Sequence, residues 1–152
     1  MEVTQTIDEW KIGDVALQSR FLLGSAGYPS PQILAEAIRG SATEVLTVGL
    51  KRTLQAGDNG FVAQALQTAR AQGARLLPNT AGCRTAREAI NLAAMARELY
   101  GTSWIKLEVI GDEHTLQPDP FELLVAATAL VRQGFTVLPY CTEDLVLCRR
   151  LL

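Results

Sequence analysis

An α/β fold built on a parallel sheet is the expectation for this chain of 152 residues, and three observations point to it. Short apolar runs begin near Phe21, Glu44, Arg75, Trp104 and Thr136, so one strand and helix unit recurs about every 30 residues, the size of a βαβ building block. Each run is followed by a capping residue and apolar positions at helical spacing. The first strand leads into Gly24-Ser25-Ala26-Gly27, which is not the G-x-G-x-x-G turn of a dinucleotide-binding fold. Charged residues on one face of the fourth strand suit a barrel better, because barrels of the TIM (β/α)8 type keep their chemistry on strand ends. Such a barrel has eight units and about 250 residues. The expected architecture is therefore a single partial domain over residues 1–152, a short hairpin and then five of eight TIM-barrel units, truncated at its C-terminus.

Composition bounds the function. Hydrophobic residues make up 48 % of the chain and charged residues 20 %, enough for one sizeable core. Fourteen basic against sixteen acidic residues leave a net charge of −2, which supplies no cationic field for nucleic acid or anionic lipid. Met1 to Asp8 has no apolar segment of a leader, and no apolar run approaches ~20 residues, so a cytoplasmic location is expected. Cys83, Cys141 and Cys148 are odd in number and form no C-x-x-C pair; free structural thiols are expected, with no metal site and no cofactor.

The elements follow in order. Trp10 to Arg20 carries a Gly-Asp turn between short alternating arms and reads as a hairpin that plugs one end of the fold. Phe21–Ser25 is the first strand; Ser30 and Pro31 open a helix that stops at Gly40. Glu44–Leu50 is the second strand, Lys51-Arg52-Thr53 a charged loop, and Asp58-Asn59-Gly60 the lead into a helix closed by Gly73. Arg75–Thr80 is the third strand, and Thr85 with Glu88 forms a capping box for an Ala-rich cover helix whose stripe runs through Ile90, Ala93, Ala94 and Arg97. After the fourth strand, Asp119-Pro120 caps a helix ended by Gly134. Thr136–Cys141 is the fifth strand, and Thr142 caps the last helix.

The fourth strand, Trp104 to Gly111, reads WIKLEVIG and is the one place where charge falls where burial is expected. Alternation puts Trp104, Lys106, Glu108 and Ile110 on one face and aliphatic residues on the other. An ammonium and a carboxylate two residues apart on a buried strand need either mutual pairing or a chemical role, and residue types leave both open.

Four segments carry a resemblance: QSRFLLGSAGY at Gln18–Tyr28, EVLTVGLKRT at Glu44–Thr53, LLPNTAGCRTAREA at Leu76–Ala89 and WIKLEVIGDEHTLQPD at Trp104–Asp119. In order and spacing the chain resembles bacterial thiazole synthase of thiamin (vitamin B1) biosynthesis from Trp10 onward. The resemblance implies a transferase on a (β/α)8 barrel. That enzyme condenses 1-deoxy-D-xylulose 5-phosphate, dehydroglycine and the thiocarboxylate sulfur of a ubiquitin-like carrier protein into thiazole phosphate carboxylate. By motif, Lys106 resembles the lysine that forms an imine with the ketose, and Glu108, in the same KLEV motif, one of the acid/base residues. The family's glycine-rich phosphate loop and its acid/base aspartate belong to later strands. A homo-oligomer is expected. The alternative is an inactive fragment or a partner-binding half-barrel lacking the phosphate site, whose first and fifth strands would expose apolar surface.

Other residues are weighed against ordinary structural roles. Asn79, Thr80 and Gly82 follow the third strand at the rim where active-site loops gather, so they are candidates for substrate binding; loop geometry alone also accounts for them. Cys83 as a sulfur relay has little support beyond neighbouring Arg84, and His114, between acidic residues, reads as a surface group. Lys51-Arg52 could meet a phosphate or a carrier protein, or be solvated charges, and Tyr140 could shape the site from the end of the fifth strand.

Overall fold

A computed structural model describes residues 10–55 and 61–152. The polar start Met1–Asp8 and the Asp58-Asn59-Gly60 lead lie outside the described residues, as does the Arg52 side chain. Strands β1 (Trp10–Ile12) and β2 (Val15–Leu17) pair as the expected antiparallel hairpin. Five parallel strands follow, β3 (Leu22–Gly24), β4 (Val45–Gly49), β5 (Arg75–Asn79), β6 (Trp104–Leu107) and β7 (Thr136–Pro139), and their order in the sheet is their order in the chain. Strictly sequential order is the barrel arrangement; a doubly wound sheet reverses at a switch point.

The helices are α1 (Pro31–Ser41), α2 (Leu50–Gln55), α3 (Phe61–Ala71), α4 (Ala86–Tyr100), α5 (Pro120–Arg132) and α6 (Leu145–Leu151). Alternation along each strand separates two environments. Leu23, Leu46, Val48 and Leu76 pack with Leu34 and Ile38 of α1 and Ala65 and Ala69 of α3, while Ile105, Leu107 and Val109 pack with α4 and α5. The opposite face holds Val45, Leu77 and Trp104, and there the hairpin residues Ile12 and Leu17 close over it. Helices on one face and a plug on the other describe a barrel wall with an inside and an outside. The plug reaches the far strand: a side chain on Gly13, which has φ of 57°, would stand 3.4 Å from the Thr136 hydroxyl. Glu44 anchors the hairpin exit, its Oε2 accepting from the amides of Gln18 and Ser19 at 2.6 Å each.

Several boundaries differ from expectation, each for a local reason. The charged segment Lys51-Arg52-Thr53 is not a loop but part of the short helix α2, with the Thr53 hydroxyl donating back to the Gly49 carbonyl at 2.8 Å. Helix α1 runs through Gly40 to Ser41 and is closed by Ala42 at φ of 47°. Helix α6 starts after Asp144 rather than Thr142, because the Asp144 carboxylate accepts from both Val146 and Leu147 amides. The buried line of α4 is Ala86, Ala89, Ala93 and Ala96, one step round from the stripe expected, which lets the helix lie close to the sheet. Thr85 caps that helix as expected, but the capping box is incomplete: the Glu88 carboxylate accepts from the Arg84 amide instead of the Thr85 amide. Strand β6 ends at Leu107, so Glu108 to Gly111 lie beyond the sheet ladder.

Candidate active site

Parallel register brings Gly49, Asn79, Lys106 and Leu138 into one lateral row across four strands, at the ends opposite the hairpin plug. Inward-facing residues at C-terminal strand ends are where barrel enzymes hold their chemistry. Above this row opens a cleft of about 400 Å³ whose walls include Gly82, Arg84, Lys106, Glu108 and Tyr140.

Lys106 and Glu108 meet in it. Lys106 Nζ stands 2.8 Å from Glu108 Oε1, the lysine side chain 41 % exposed and the glutamate side chain 13 % exposed. The amine therefore faces the cleft while the carboxylate is largely walled in behind it. Partial burial of the carboxylate strengthens the field between the two groups. The Tyr140 ring lies 5.9 Å from the same nitrogen, just past β7, and its hydroxyl donates to the Leu116 carbonyl at 3.2 Å. That bond ties the loop between β6 and α5 across the cleft, where Arg84 and Glu113 form an exposed ion pair at 2.6 Å. Tyr140 is thus part of the site wall, a place that its strand-end position signalled.

The loop after β5 distributes its three candidates differently. Gly82 lines the cleft, holds φ of 82°, and accepts Lys51 Nζ on its carbonyl at 2.8 Å. Asn79 turns its side-chain oxygen onto the Ala81 amide at 3.2 Å, shaping the loop. Thr80 is fully buried, with its hydroxyl bonded to the Glu108 backbone. Lys51 is tied to that loop from the neighbouring strand end, an arrangement a charged-loop reading of the sequence did not contain.

The cysteines are free. Burial pushes the Cys83 thiol above its ordinary value; nearby Lys51 offsets this and Glu88 and Glu108 add to it. A buried thiol held protonated is a poor nucleophile, as befits a structural residue. His114 is exposed, its amide donating to Asp112. That bond, joined by the Thr115 hydroxyl, holds the Asp112 carboxyl below its usual range. Among the described residues no cluster of His, Cys, Asp and Glu could hold a metal, and no helix is long and apolar enough to cross a membrane.

Comparison with known proteins gives the family. The family model for thiazole biosynthesis protein ThiG matches residues 11–152. The chain belongs to the ThiG family. Curated relatives agree: it is 55 % identical over 142 residues to the thiazole synthase of Coxiella burnetii, covering 93 % of this chain and 54 % of that protein. It is 57 % identical over 139 residues to the thiazole synthase of Erwinia amylovora, covering 91 % and 53 %. Against the thiazole synthase of Ralstonia pickettii the figures are 56 % over 145 residues, 95 % and 52 %. The chain spans about half the length of these ThiG-family relatives. Among solved structures, a chain of the Amycolatopsis orientalis BexX/CysO complex superposes with a TM-score of 0.75 at 24 % identity, over 93 % of this chain and 57 % of that one, which is a likeness of fold.

Proposed function

We propose that this chain carries the imine-forming lysine of a thiazole synthase. The observation that supports the reading is Lys106 Nζ at 2.8 Å from Glu108 Oε1, facing an open cleft of about 400 Å³. The lysine must lose a proton before it can attack the ketone of 1-deoxy-D-xylulose 5-phosphate, and the adjacent carboxylate is a ready acceptor. Attack on the carbonyl carbon forms a carbinolamine, whose hydroxyl leaves as water with the proton Glu108 had taken; this leaves a protonated imine that draws electrons from the neighbouring carbon and returns Glu108 to its carboxylate. A proton there becomes removable by a modest base, and Glu108 is that base. Dehydroglycine and the carrier's thiocarboxylate sulfur are the other reactants that the family implies. The chain of similar fold comes from a BexX/CysO complex; for this chain the family resemblance implies a protein partner, the ubiquitin-like sulfur carrier. Gly82, on the cleft wall, is the substrate contact of the loop after β5, and the family resemblance implies a homo-oligomer.

Borohydride reduction in the presence of the ketose phosphate tests the reading. A mass adduct mapped to Lys106, absent from Lys106→Ala, is expected. An intact chain without an adduct, under conditions where a full-length relative labels, defeats it and leaves the partner-binding half-barrel. That second reading is favoured by the apolar outer surface of α5, where Phe121 is 81 % and Val125 58 % exposed.

A further inference from the structure

Thr80 stands one residue past β5 and is fully buried, with Thr43 one of two polar residues so classed among those described. A threonine in a loop ordinarily caps its own turn or meets water. This one reaches to the neighbouring segment 28 residues ahead, where its hydroxyl accepts from the Glu108 amide and donates to the Glu108 carbonyl, both at 2.8 Å.

The location matters because the sheet no longer holds the chain there. Between β5 and β6 the ladder has Asn79 opposite Lys106 as its registered pair, followed by a bond from the Thr80 amide to the Lys106 carbonyl at 3.2 Å. Beyond that, the Thr80 hydroxyl stands where the next rung would be. Bonds to the N–H and the C=O of one residue fix both peptide planes that flank it. They therefore fix the direction of its Cα–Cβ bond. For Glu108 that direction decides whether the carboxylate meets Lys106 Nζ at 2.8 Å or swings into the cleft.

We propose that Thr80 is a positioning residue for the Lys106–Glu108 pair, acting through the Glu108 backbone and not by touching substrate. Its one proton is already donated to a carbonyl, so it has none to offer a sugar hydroxyl or phosphate. The inference rests on the imine reading for its catalytic meaning, but the pairing it controls is measurable without substrate.

The test compares the chain with Thr80→Val, which keeps the shape and loses the hydroxyl, and Thr80→Ser, which keeps it. The Lys106–Glu108 contact is followed by the NMR cross-peak between the Lys106 Hε and Glu108 Hγ protons. In Thr80→Val that cross-peak is expected to weaken, and in Thr80→Ser to stay with the parent. With ketose phosphate at equilibrium, Thr80→Val should still form the Lys106 imine, though more slowly because Glu108 also takes the lysine's proton, while deuterium uptake at the adjacent carbon, per imine formed, falls roughly tenfold to a hundredfold. A merely structural role would lower both together. A folded Thr80→Val with the parent cross-peak and the parent uptake overturns the proposal. Should Thr80→Val not fold, exchange of the Glu108 amide in the parent chain decides, since an unprotected amide there is incompatible with the bond. Absence of any imine in the parent refutes the functional reading, and the Lys106–Glu108 cross-peak still decides the positioning one.

Discussion

Lys106 owes its setting to residues that differ in how visible they are in the sequence. The lysine and Glu108 stood out because period-2 alternation placed two charges on a face that should be apolar, and they do meet, at 2.8 Å. Thr80 and Tyr140 were legible as rim residues but not in their contacts, because a hydroxyl bonded to a backbone 28 residues away leaves no local signal. Lys51 is a similar case, bonded to the Gly82 carbonyl 31 residues on. Cys83 supports a test at this level. Burial raises its thiol above the ordinary 9.0, so the folded chain holds the proton over a range where the unfolded chain has released it. Unfolding then releases protons, and stability is full below the unfolded value and declines as pH rises through the interval up to the folded one. Denaturant titrations from pH 7 upward should show this decline, and Cys83→Ala should remove part of it while Tyr100 and Cys141, also raised by burial, keep the remainder.

Helix ends were the most readable elements and also the ones displaced by a residue or two. Ser30, Thr85 and Asp119 cap where expected, since small polar side chains before an apolar run satisfy free amides at a helix start. Asp119 serves two amides, Phe121 and Glu122 at 2.9 and 3.0 Å, and Glu122 in turn accepts from the Ala86 amide at 2.6 Å. One carboxylate thus caps α5, and the next residue to gain from it caps α4. Asp119→Ala should lower stability by about 1 kcal/mol, toward 2 if the Glu122 contact is lost with it, in chemical denaturation. Asp119→Asn, which keeps an acceptor, should lose less. The start of α6 was misread because Thr142 and Asp144 are both competent caps; the two-amide geometry of Asp144 decides between them.

The assembled sheet explains why the hairpin precedes the strands. Leu17 is buried against Val45, Leu77 and Trp104, closing the inner face at the ends away from the cleft. Without a plug those apolar residues would meet water, and the row bearing Lys106 would lose its floor. Leu17→Ala should cost about 2–5 kcal/mol by urea unfolding. It should also broaden the Trp104 indole signal in NMR, as packing beneath that ring loosens. An unchanged midpoint would mean that the hairpin is an appendage.

Capping residues, the thirty-residue recurrence and alternation along each strand carried the α/β class, the parallel sheet and the charged pair, because these depend on neighbours a few positions away. The register that lines up Gly49, Asn79, Lys106 and Leu138, the bond from Tyr140 to the Leu116 carbonyl and the burial of Thr80 under Glu108 came from the folded chain alone. They depend on which distant segments lie side by side, and a hydroxyl or an ammonium has the same letters whether it faces water, a partner or a backbone amide on the next strand.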